Sequence, residues 1–128
     1  MPLLLLVEDH ADTRAMYAEF LRDGFEVIEA SDGEEALAAM RARVPDLVIT
    51  DLSLPQMDGF ELLTHMRDDD GLALVPVLCL SGYSDDVHEK RAIAAGANRV
   101  LQKPCLPDRL AEIAATLLRD GASGPATR

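Results

Sequence analysis

Short apolar runs without in/out alternation are the sequence feature that most constrains the fold of this chain. The segments Leu3–Val7, Leu47–Thr50 and Val75–Leu80 are nearly continuous apolar stretches of strand length. Strands with this pattern are covered on both faces, as in a parallel sheet whose crossover helices pack on either side. The pattern therefore predicts an α/β domain built on a parallel sheet.

Segments with helical spacing separate these runs. Their apolar stripes are Met16, Tyr17, Phe20 and Leu21; Ala36, Leu37 and Met40; Leu62, Leu63 and Met66; and Leu106, Leu110, Ile113 and Leu117. A fourth helix is predicted over Asp85 to Ala95, ended by Gly96. Two further strands are predicted at Glu26–Ala30 and Arg99–Gln102. Five strands alternating with five helices in 128 residues predict a doubly wound, flavodoxin-like domain with strand order 2-1-3-4-5.

Composition narrows the classes of function. Twelve basic residues against 23 acidic ones give a formal charge of −11, which disfavours nucleic-acid binding. Two cysteines are too few for a disulfide scaffold. The apolar start lacks a basic region, and no apolar run is long enough for a membrane span. We therefore expect a cytoplasmic domain over residues 1–120, with residues 121–128 as a flexible tail or the start of a linker.

Polar side chains follow the predicted strands. Glu8 and Asp9 follow the first strand, Asp51 the third, Ser81 the fourth, and Lys103 and Pro104 the fifth. The carboxyl ends of parallel strands lie at one edge of the sheet, and ligands bind there where the strand order reverses. Three carboxylates, one hydroxyl and one ammonium are therefore expected to converge at this edge.

The expected cluster carries excess negative charge. The carboxylates of Glu8, Asp9 and Asp51 contribute −3 and Lys103 contributes +1, so a divalent cation would bring the site to neutrality. Carboxylate oxygens without a nearby histidine or cysteine favour Mg²⁺ over Zn²⁺. Mg²⁺ is often bound by one or two carboxylates together with a phosphate, so the cluster is suited to phosphoryl transfer onto a carboxylate.

Four motifs, in this order and spacing, resemble those of response regulator receiver domains of two-component signalling. The motifs are Leu-Val-Glu-Asp at 6–9, Asp-Leu-Ser-Leu-Pro-Gln-Met-Asp-Gly at 51–59, Leu-Ser-Gly at 80–82 and Gly-Ala-Asn-Arg-Val-Leu-Gln-Lys-Pro at 96–104. The resemblance runs from Leu3 to Arg119 and therefore covers nearly the whole chain.

The resemblance implies roles for five residues. Asp51 would be the phosphoacceptor, taking its phosphoryl group from a phosphohistidine of a sensor histidine kinase or a histidine phosphotransfer protein. Mg²⁺ would be held by Asp9, Asp51 and the backbone carbonyl of Ser53, with Glu8 acting through a water molecule. Lys103 would pair with Asp51 and later with a phosphoryl oxygen.

The resemblance also implies a switch region at Ser81, Val100 and Pro104. Ser81 would donate its hydroxyl to a phosphoryl oxygen and move toward it on activation, and the Lys103–Pro104 peptide bond would be cis. Receivers usually carry Tyr or Phe three residues before the lysine, where this chain has Val100, and Cys105 replaces the phenylalanine that commonly follows Lys-Pro. These departures affect the output step and leave the phosphorylation chemistry intact.

Two other functions stay open from the sequence. A phosphorylation-independent interaction module on the same fold is favoured by Val100, although the acidic pair, Asp51, Ser81 and Lys103 argue against it. A phosphatase or phosphotransferase acting on small molecules would carry a second catalytic aspartate where this chain has Ser53. We expect no enzyme activity beyond the domain's own phosphorylation and dephosphorylation.

Partner contacts are expected to involve proteins. By analogy of fold, small residues on the first helix (Ala11, Ala15 and Ala18) form a candidate docking patch for the kinase. The downstream partner is an unknown protein or output domain, and the chain is expected to be a monomer or a weak dimer. No direct contact with nucleic acid or membrane is expected.

Overall fold

The computed structural model describes residues 1–83 and 85–119. Within this part of the chain, strands and helices alternate strictly: β1 (Leu3–Val7), α1 (Ala11–Leu21), β2 (Glu26–Ala30), α2 (Gly33–Ala42), β3 (Leu47–Asp51), α3 (Gly59–Asp68), β4 (Val77–Ser81), α4 (Asp86–Ala95), β5 (Arg99–Gln102) and α5 (Pro107–Arg119). All neighbouring strands pair in parallel, in the order β2-β1-β3-β4-β5. The predicted fold class and strand order are thereby confirmed.

The continuous apolar runs supply both faces of the sheet. On β1, Leu5 and Val7 pack into one core cluster, whereas Leu4 and Leu6 pack into the other. The first cluster includes the buried faces of α2 and α3, and the second includes those of α1 and α5. Each fully buried leucine stabilises the fold by roughly 1.5–3 kcal/mol relative to an exposed one. The sheet, including the edge that carries the polar residues, is therefore packed against a separate apolar cluster on each face.

The buried face of α1 differs from the prediction. Tyr17 and Leu21 are buried as expected, but Met16 is 41% exposed and Phe20 is 45% exposed. Ala18 completes the buried stripe instead, because residues one and four positions apart at 17, 18 and 21 lie on one side of a helix with 3.6 residues per turn. The expected docking patch is wrong at Ala18 for the same reason.

Three smaller corrections concern the ends of elements. Leu106 is 69% exposed, because α5 begins only at Pro107 and Leu106 precedes it. The fourth strand begins at Val77, after Pro76, whose nitrogen has no hydrogen to donate to a neighbouring strand. Asp85 caps α4 rather than belonging to it, and its side chain accepts a hydrogen bond from the backbone N–H of His88 at 3.0 Å.

The structure bears only in part on the expectations about the C-terminal tail and about membrane spans. The proposed tail at 121–128 lies outside the described residues. Within residues 1–83 and 85–119, no helix combines the length and apolar character needed to cross a bilayer.

Candidate functional site

Three carboxylates meet where β1 and β3 end. Residue Val7 of β1 is paired with Thr50 of β3, so Glu8, Asp9 and Asp51 follow at adjacent strand ends. Each of the three offers a carboxylate oxygen that lies within 4.8 Å of those of the other two. Parallel strands bring their carboxyl ends to one sheet edge, and that geometry explains how residues more than forty positions apart converge.

Each of the two buried carboxylates accepts a hydrogen bond from the backbone N–H of the residue two positions further along the chain. Glu8 is 1% exposed and Asp51 is 4% exposed, whereas Asp9 lies at the surface. Glu8 accepts from the backbone N–H of His10 at 3.1 Å, and Asp51 Oδ1 accepts from the backbone N–H of Ser53 at 2.9 Å. Such hydrogen bonds offset part of the cost of burying a polar group away from water.

Lys103 links both buried carboxylates. Its Nζ lies 2.5 Å from Asp51 Oδ2 and 3.1 Å from Glu8 Oε1. Burial is the largest single influence on Lys103 and opposes its charge, but the hydrogen bonds and negative charges of Asp51 and Glu8 together outweigh it, so the pKa of Lys103 is raised. Burial also raises the pKa of Glu8, and the bonds from His10 and Lys103 offset this only in part. The ammonium is therefore firmly charged, and its nearest partner is the carboxylate at the end of β3.

The position of Lys103 depends on the end of β5. Its backbone N–H donates to the carbonyl oxygen of Ser81 at 2.8 Å, and this bond continues the pairing of β4 with β5. The Lys103–Pro104 peptide bond is cis, as the resemblance implies. Pro104 itself is exposed, and the neighbouring carbonyl of Cys105 accepts from the Tyr17 hydroxyl at 2.9 Å. The lysine thus projects from a strand end that is tied to β4 and to α1.

Ser81 ends β4 and is 2% exposed. Its hydroxyl oxygen accepts from the backbone N–H of Tyr83 at 3.0 Å, and the hydroxyl donates to the carbonyl oxygen of Tyr83 at 3.4 Å. The structure therefore brings Ser81 to the same sheet edge but bonds its side chain to the following loop. Gln102 Nε2 also donates to the Tyr83 carbonyl, at 3.3 Å.

A close backbone approach fixes the loop that follows Asp51. A Cβ atom on Gly59 would lie 2.7 Å from the carbonyl oxygen of Asp51 and 2.7 Å from Cα of Leu52. Gly59 also donates its backbone N–H to the carbonyl oxygen of Leu52 at 2.9 Å. The loop closes tightly because residue 59 has no side chain. This closure places the Ser53 N–H on Asp51, while the predicted role of the Ser53 carbonyl stays a prediction.

Several residues that support the site escaped the sequence reasoning. Arg14 donates from Nη1 to the carbonyl oxygen of Glu8 at 2.8 Å, and Thr50 donates its hydroxyl to the carbonyl oxygen of Asp51 at 3.0 Å. Tyr83 and the hydroxyl of Tyr17 belong to the same group. No local motif marks them. Arg14 alone could have been found, from a helical projection of α1 that places its side chain toward the end of β1.

The predicted switch position carries no aromatic ring. Val100 is partly buried and packs against the core cluster that lies beside α2 and α3. Its strand partner in β4 is Cys79, which is fully buried. An aliphatic side chain in this setting fills space and offers no ring that could turn between surface and core.

The donor set fits a hard divalent cation. The group of Glu8, Asp9 and Asp51 offers carboxylate oxygens with no histidine or thiol among them. With Lys103 included, the four ionised groups sum to −2, which is the charge that a divalent ion balances. Oxygen ligands with this charge suit Mg²⁺ better than Zn²⁺, and Asp9 at the surface leaves the cluster open to water.

Comparisons with known proteins agree with this geometry. The family model described as "Response regulator receiver domain" matches residues 4–115. The chain is 36% identical over 105 residues to the transcriptional regulatory protein AfsQ1 of Streptomyces coelicolor, covering 81% of this chain and 45% of that protein. It is 31% identical over 109 residues to the hybrid signal transduction histidine kinase D of Dictyostelium discoideum, covering 85% of this chain and 7% of that protein.

The solved structures show the same likeness at the level of the fold. The chemotaxis response regulator CheY4 of Vibrio cholerae superposes with a TM-score of 0.83 at 34% identity, covering 93% of this chain and 98% of that one. The chain spans less than half the length of the two curated relatives above, so the likeness to them is to one part of each. The chain belongs to the response regulator receiver domain family, whose members serve as phosphoacceptors in two-component systems.

Proposed function

We propose that Asp51 accepts a phosphoryl group from a phosphohistidine on a sensor histidine kinase or a histidine phosphotransfer protein. A carboxylate oxygen of Asp51 attacks phosphorus in line, and the phosphorus–nitrogen bond breaks with its electron pair going to the imidazole. The product is an acyl phosphate on Asp51. The observation that carries the proposal is Lys103 Nζ, which lies 2.5 Å from Asp51 Oδ2 and 3.1 Å from Glu8 Oε1.

Three hydrogen-bond donors near Asp51 would have different roles in phosphoryl transfer. The Ser53 N–H, which donates to Oδ1, orients the carboxylate. Lys103, which donates to Oδ2, is close enough to bond a phosphoryl oxygen when the phosphoryl group reaches Asp51. Ser81, at the end of β4 next to β3, would supply a second donor once its hydroxyl leaves Tyr83. Fixed donors of this kind stabilise the equatorial oxygens of a transferring phosphoryl group.

The acidic cluster would hold Mg²⁺. Asp9, Asp51 and the carbonyl oxygen of Ser53 are the proposed direct ligands, and Glu8 is proposed to act through a water molecule. The bound ion would neutralise the phosphoryl oxygens and so allow a carboxylate to approach them. Glu8 is the least exposed of the three carboxylates and already bonds Lys103, which fits an indirect role.

The test is intact mass after incubation with acetyl phosphate and Mg²⁺. We expect a gain of one phosphoryl group that is lost when EDTA replaces Mg²⁺ and absent from Asp51→Asn. Asp23→Asn is the matched control, because Asp23 is an exposed aspartate in the loop after α1. It should gain the same mass as the parent protein. A folded parent protein that gains no mass under any condition would refute the proposal.

A second candidate is an interaction module that works without phosphorylation. Val100 favours it, because receivers usually have at this position a Tyr or Phe whose ring moves when the domain is phosphorylated. The same mass measurement decides between the two candidates. Only the phosphoacceptor predicts a Mg²⁺-dependent gain that requires Asp51.

The remaining proposals concern the setting of the domain. We propose that residues 1–120 form the receiver and that residues 121–128 are a tail or the start of a linker. The downstream partner is proposed to be a protein or an attached output domain, and the charge of −11 argues against direct binding of nucleic acid. The proposed location is the cytoplasm, and the proposed state is a monomer or a weak dimer.

A further inference from the structure

The hydroxyl of Ser81 is engaged by the backbone of a single neighbour. Tyr83 donates its N–H to Ser81 Oγ at 3.0 Å and accepts the hydroxyl hydrogen on its carbonyl oxygen at 3.4 Å. Gln102, at the end of β5, donates to the same carbonyl oxygen at 3.3 Å. The backbone of Tyr83 is thus tied to the ends of two strands that border the candidate site.

The ring of Tyr83 lies on the ring of His88. The two ring centroids are 3.7 Å apart, and the planes are inclined by only 9°. Asp85 fixes the imidazole, since its Oδ1 lies 2.6 Å from His88 Nδ1 and also accepts the backbone N–H of His88. The stack therefore joins the loop after β4 to the first turn of α4 in a defined orientation.

The ring contacts continue to the surface between α3 and α4. The Phe60 ring centroid is 6.3 Å from that of His88, and the guanidinium of Arg91 lies 3.9 Å above the Phe60 ring. Phe60 is buried at the start of α3, whereas Arg91 on α4 is exposed. A contiguous set of contacts thus runs from Ser81 through Tyr83, His88 and Phe60 to Arg91.

The hydroxyl of Ser81 cannot serve two acceptors. A serine hydroxyl has one hydrogen to donate, so it bonds either the Tyr83 carbonyl or a phosphoryl oxygen on Asp51. A change of partner removes one bond from Tyr83, and rotation of the side chain removes the second. This exclusive choice gives two discrete arrangements with different contacts to a ligand, and such a difference is what shifts an equilibrium between them.

We propose that Tyr83 is the positioning residue for Ser81 and that its ring carries the phosphorylation state of the site to α4. The inference rests on the proposed function, because it requires a phosphoryl group on Asp51. In the unphosphorylated domain, Tyr83 holds the Ser81 hydroxyl and stacks on His88. When Ser81 turns to the phosphoryl oxygens, Tyr83 is released at its backbone and its ring leaves His88. The surface around Arg91 changes as a result, without an aromatic side chain at position 100.

Proton NMR of the histidine rings tests this directly. A stacked ring shields the protons of its neighbour, so release of Tyr83 should move the His88 ring resonances downfield. Beryllofluoride with Mg²⁺ serves as the stable mimic of the acyl phosphate, and its fluorine resonance reports occupancy of the site in the same tube. The His88 signals are assigned by their loss in His88→Gln.

Three variants separate the contribution of the Tyr83 ring from that of its backbone. Tyr83→Ala removes the ring but keeps the N–H and the carbonyl that bond Ser81, so its His88 resonances should lie downfield before the mimic is added and should not move afterwards. Tyr83→Phe keeps the ring and should behave like the parent protein. Ser81→Ala removes both bonds to the backbone of Tyr83, so its His88 resonances should already lie downfield without the mimic and should not move when the mimic binds.

The outcomes distinguish this inference from the function beneath it. Bound beryllofluoride with a downfield shift of His88 in the parent protein, but not in Ser81→Ala, supports the relay. Bound beryllofluoride with unmoved His88 resonances overturns the relay and leaves the phosphoacceptor function standing. An equal shift in Ser81→Ala also overturns it. Failure of the mimic to bind the parent protein, together with no gain of phosphoryl mass, refutes the proposed function and this inference with it.

Discussion

The ammonium of Lys103 lies between two buried carboxylates and is closer to Asp51 Oδ2, at 2.5 Å, than to Glu8 Oε1, at 3.1 Å. Lys103 leaves the end of β5, and the carboxylates stand at the ends of β3 and β1. A single side chain therefore balances charge across three strands of the sheet, and its removal should leave two nearly unexposed carboxylates side by side.

Lys103→Gln should lower the stability of the folded chain at neutral pH by about 1–3 kcal/mol, because it leaves buried charges without their partner. Added Mg²⁺ should restore much of the loss, since a divalent ion supplies the missing positive charge. The measurement is urea unfolding followed by circular dichroism, in EDTA and in Mg²⁺. Lys90→Gln is the control, because Lys90 is the other lysine of the chain and lies exposed on α4. An equal loss of stability in both variants would contradict this account of Lys103.

The side chain of Arg67 makes hydrogen bonds whose loss should destabilise the fold. Its guanidinium donates to the carbonyl oxygen of Gly96 at 2.7 Å, to that of Val75 at 2.7 Å and to that of Ala73 at 2.9 Å. These bonds join α3 to the loops before β4 and before β5. Burial lowers the pKa of Arg67. The hydrogen bonds to neutral carbonyl oxygens offset part of the cost of burying the charged guanidinium.

Arg67→Ala should destabilise the fold by about 2–4 kcal/mol, because several partly buried carbonyl groups lose a charged donor. Arg67→Lys should recover only part of this, since one ammonium cannot replace the planar fork at several acceptors. The comparison is Arg41→Ala, whose exposed contact with Asp69 is 3.8 Å long and should contribute less than about 1 kcal/mol. Similar urea midpoints for the Arg67 and Arg41 variants would refute the assignment.

The sequence predicted what depends on local patterns. Apolar runs such as Leu3–Val7 predicted strands that are covered on both faces. Parallel pairing of these strands then placed Glu8, Asp9 and Asp51 at one edge of the sheet. The order of the strands and the convergence of the carboxylates follow from repeating rules of α/β sheets. For this reason both could be read without any knowledge of side-chain contacts.

What the sequence could not predict depends on contacts between distant segments. The choice of Ala18 over Phe20 for the buried side of α1 follows from how that helix sits on the sheet, and residue type alone favours the larger side chain. The stacking of Tyr83 on His88 likewise depends on the path of a loop. Neither has a motif, because each is set by packing between elements rather than by spacing within one.

Stability should fall at alkaline pH through Cys79. Complete burial raises the pKa of this thiol from 9.0 to about 12, because the thiolate has no solvation inside the sheet. The unfolded chain releases the proton near pH 9, so the stabilisation is complete below that pH and is lost progressively as the pH rises toward 12. The free energy of unfolding of the parent protein should therefore drop more steeply between pH 9 and pH 11 than that of Cys79→Ala. Parallel curves would contradict the linkage to Cys79.

Gly59 offers a test of how tightly the loop after β3 packs against the backbone of Asp51. A methyl group at this position would meet the carbonyl oxygen of Asp51 and Cα of Leu52, both at 2.7 Å, and backbone atoms cannot move aside as a flexible side chain can. Gly59→Ala should therefore destabilise the fold by roughly 1–3 kcal/mol, the usual cost of overpacking. It should also slow the gain of phosphoryl mass, because the Asp51 backbone is displaced. Gly24→Ala is the matched control, since a Cβ there has no neighbour within 4 Å and should change neither quantity. A Gly59→Ala protein that is phosphorylated at the parent rate would show that the loop tolerates the displacement. The hydrogen bonds to the Asp51 carboxylate, from the backbone N–H of Ser53 and the ammonium of Lys103, would then be sufficient to position Asp51.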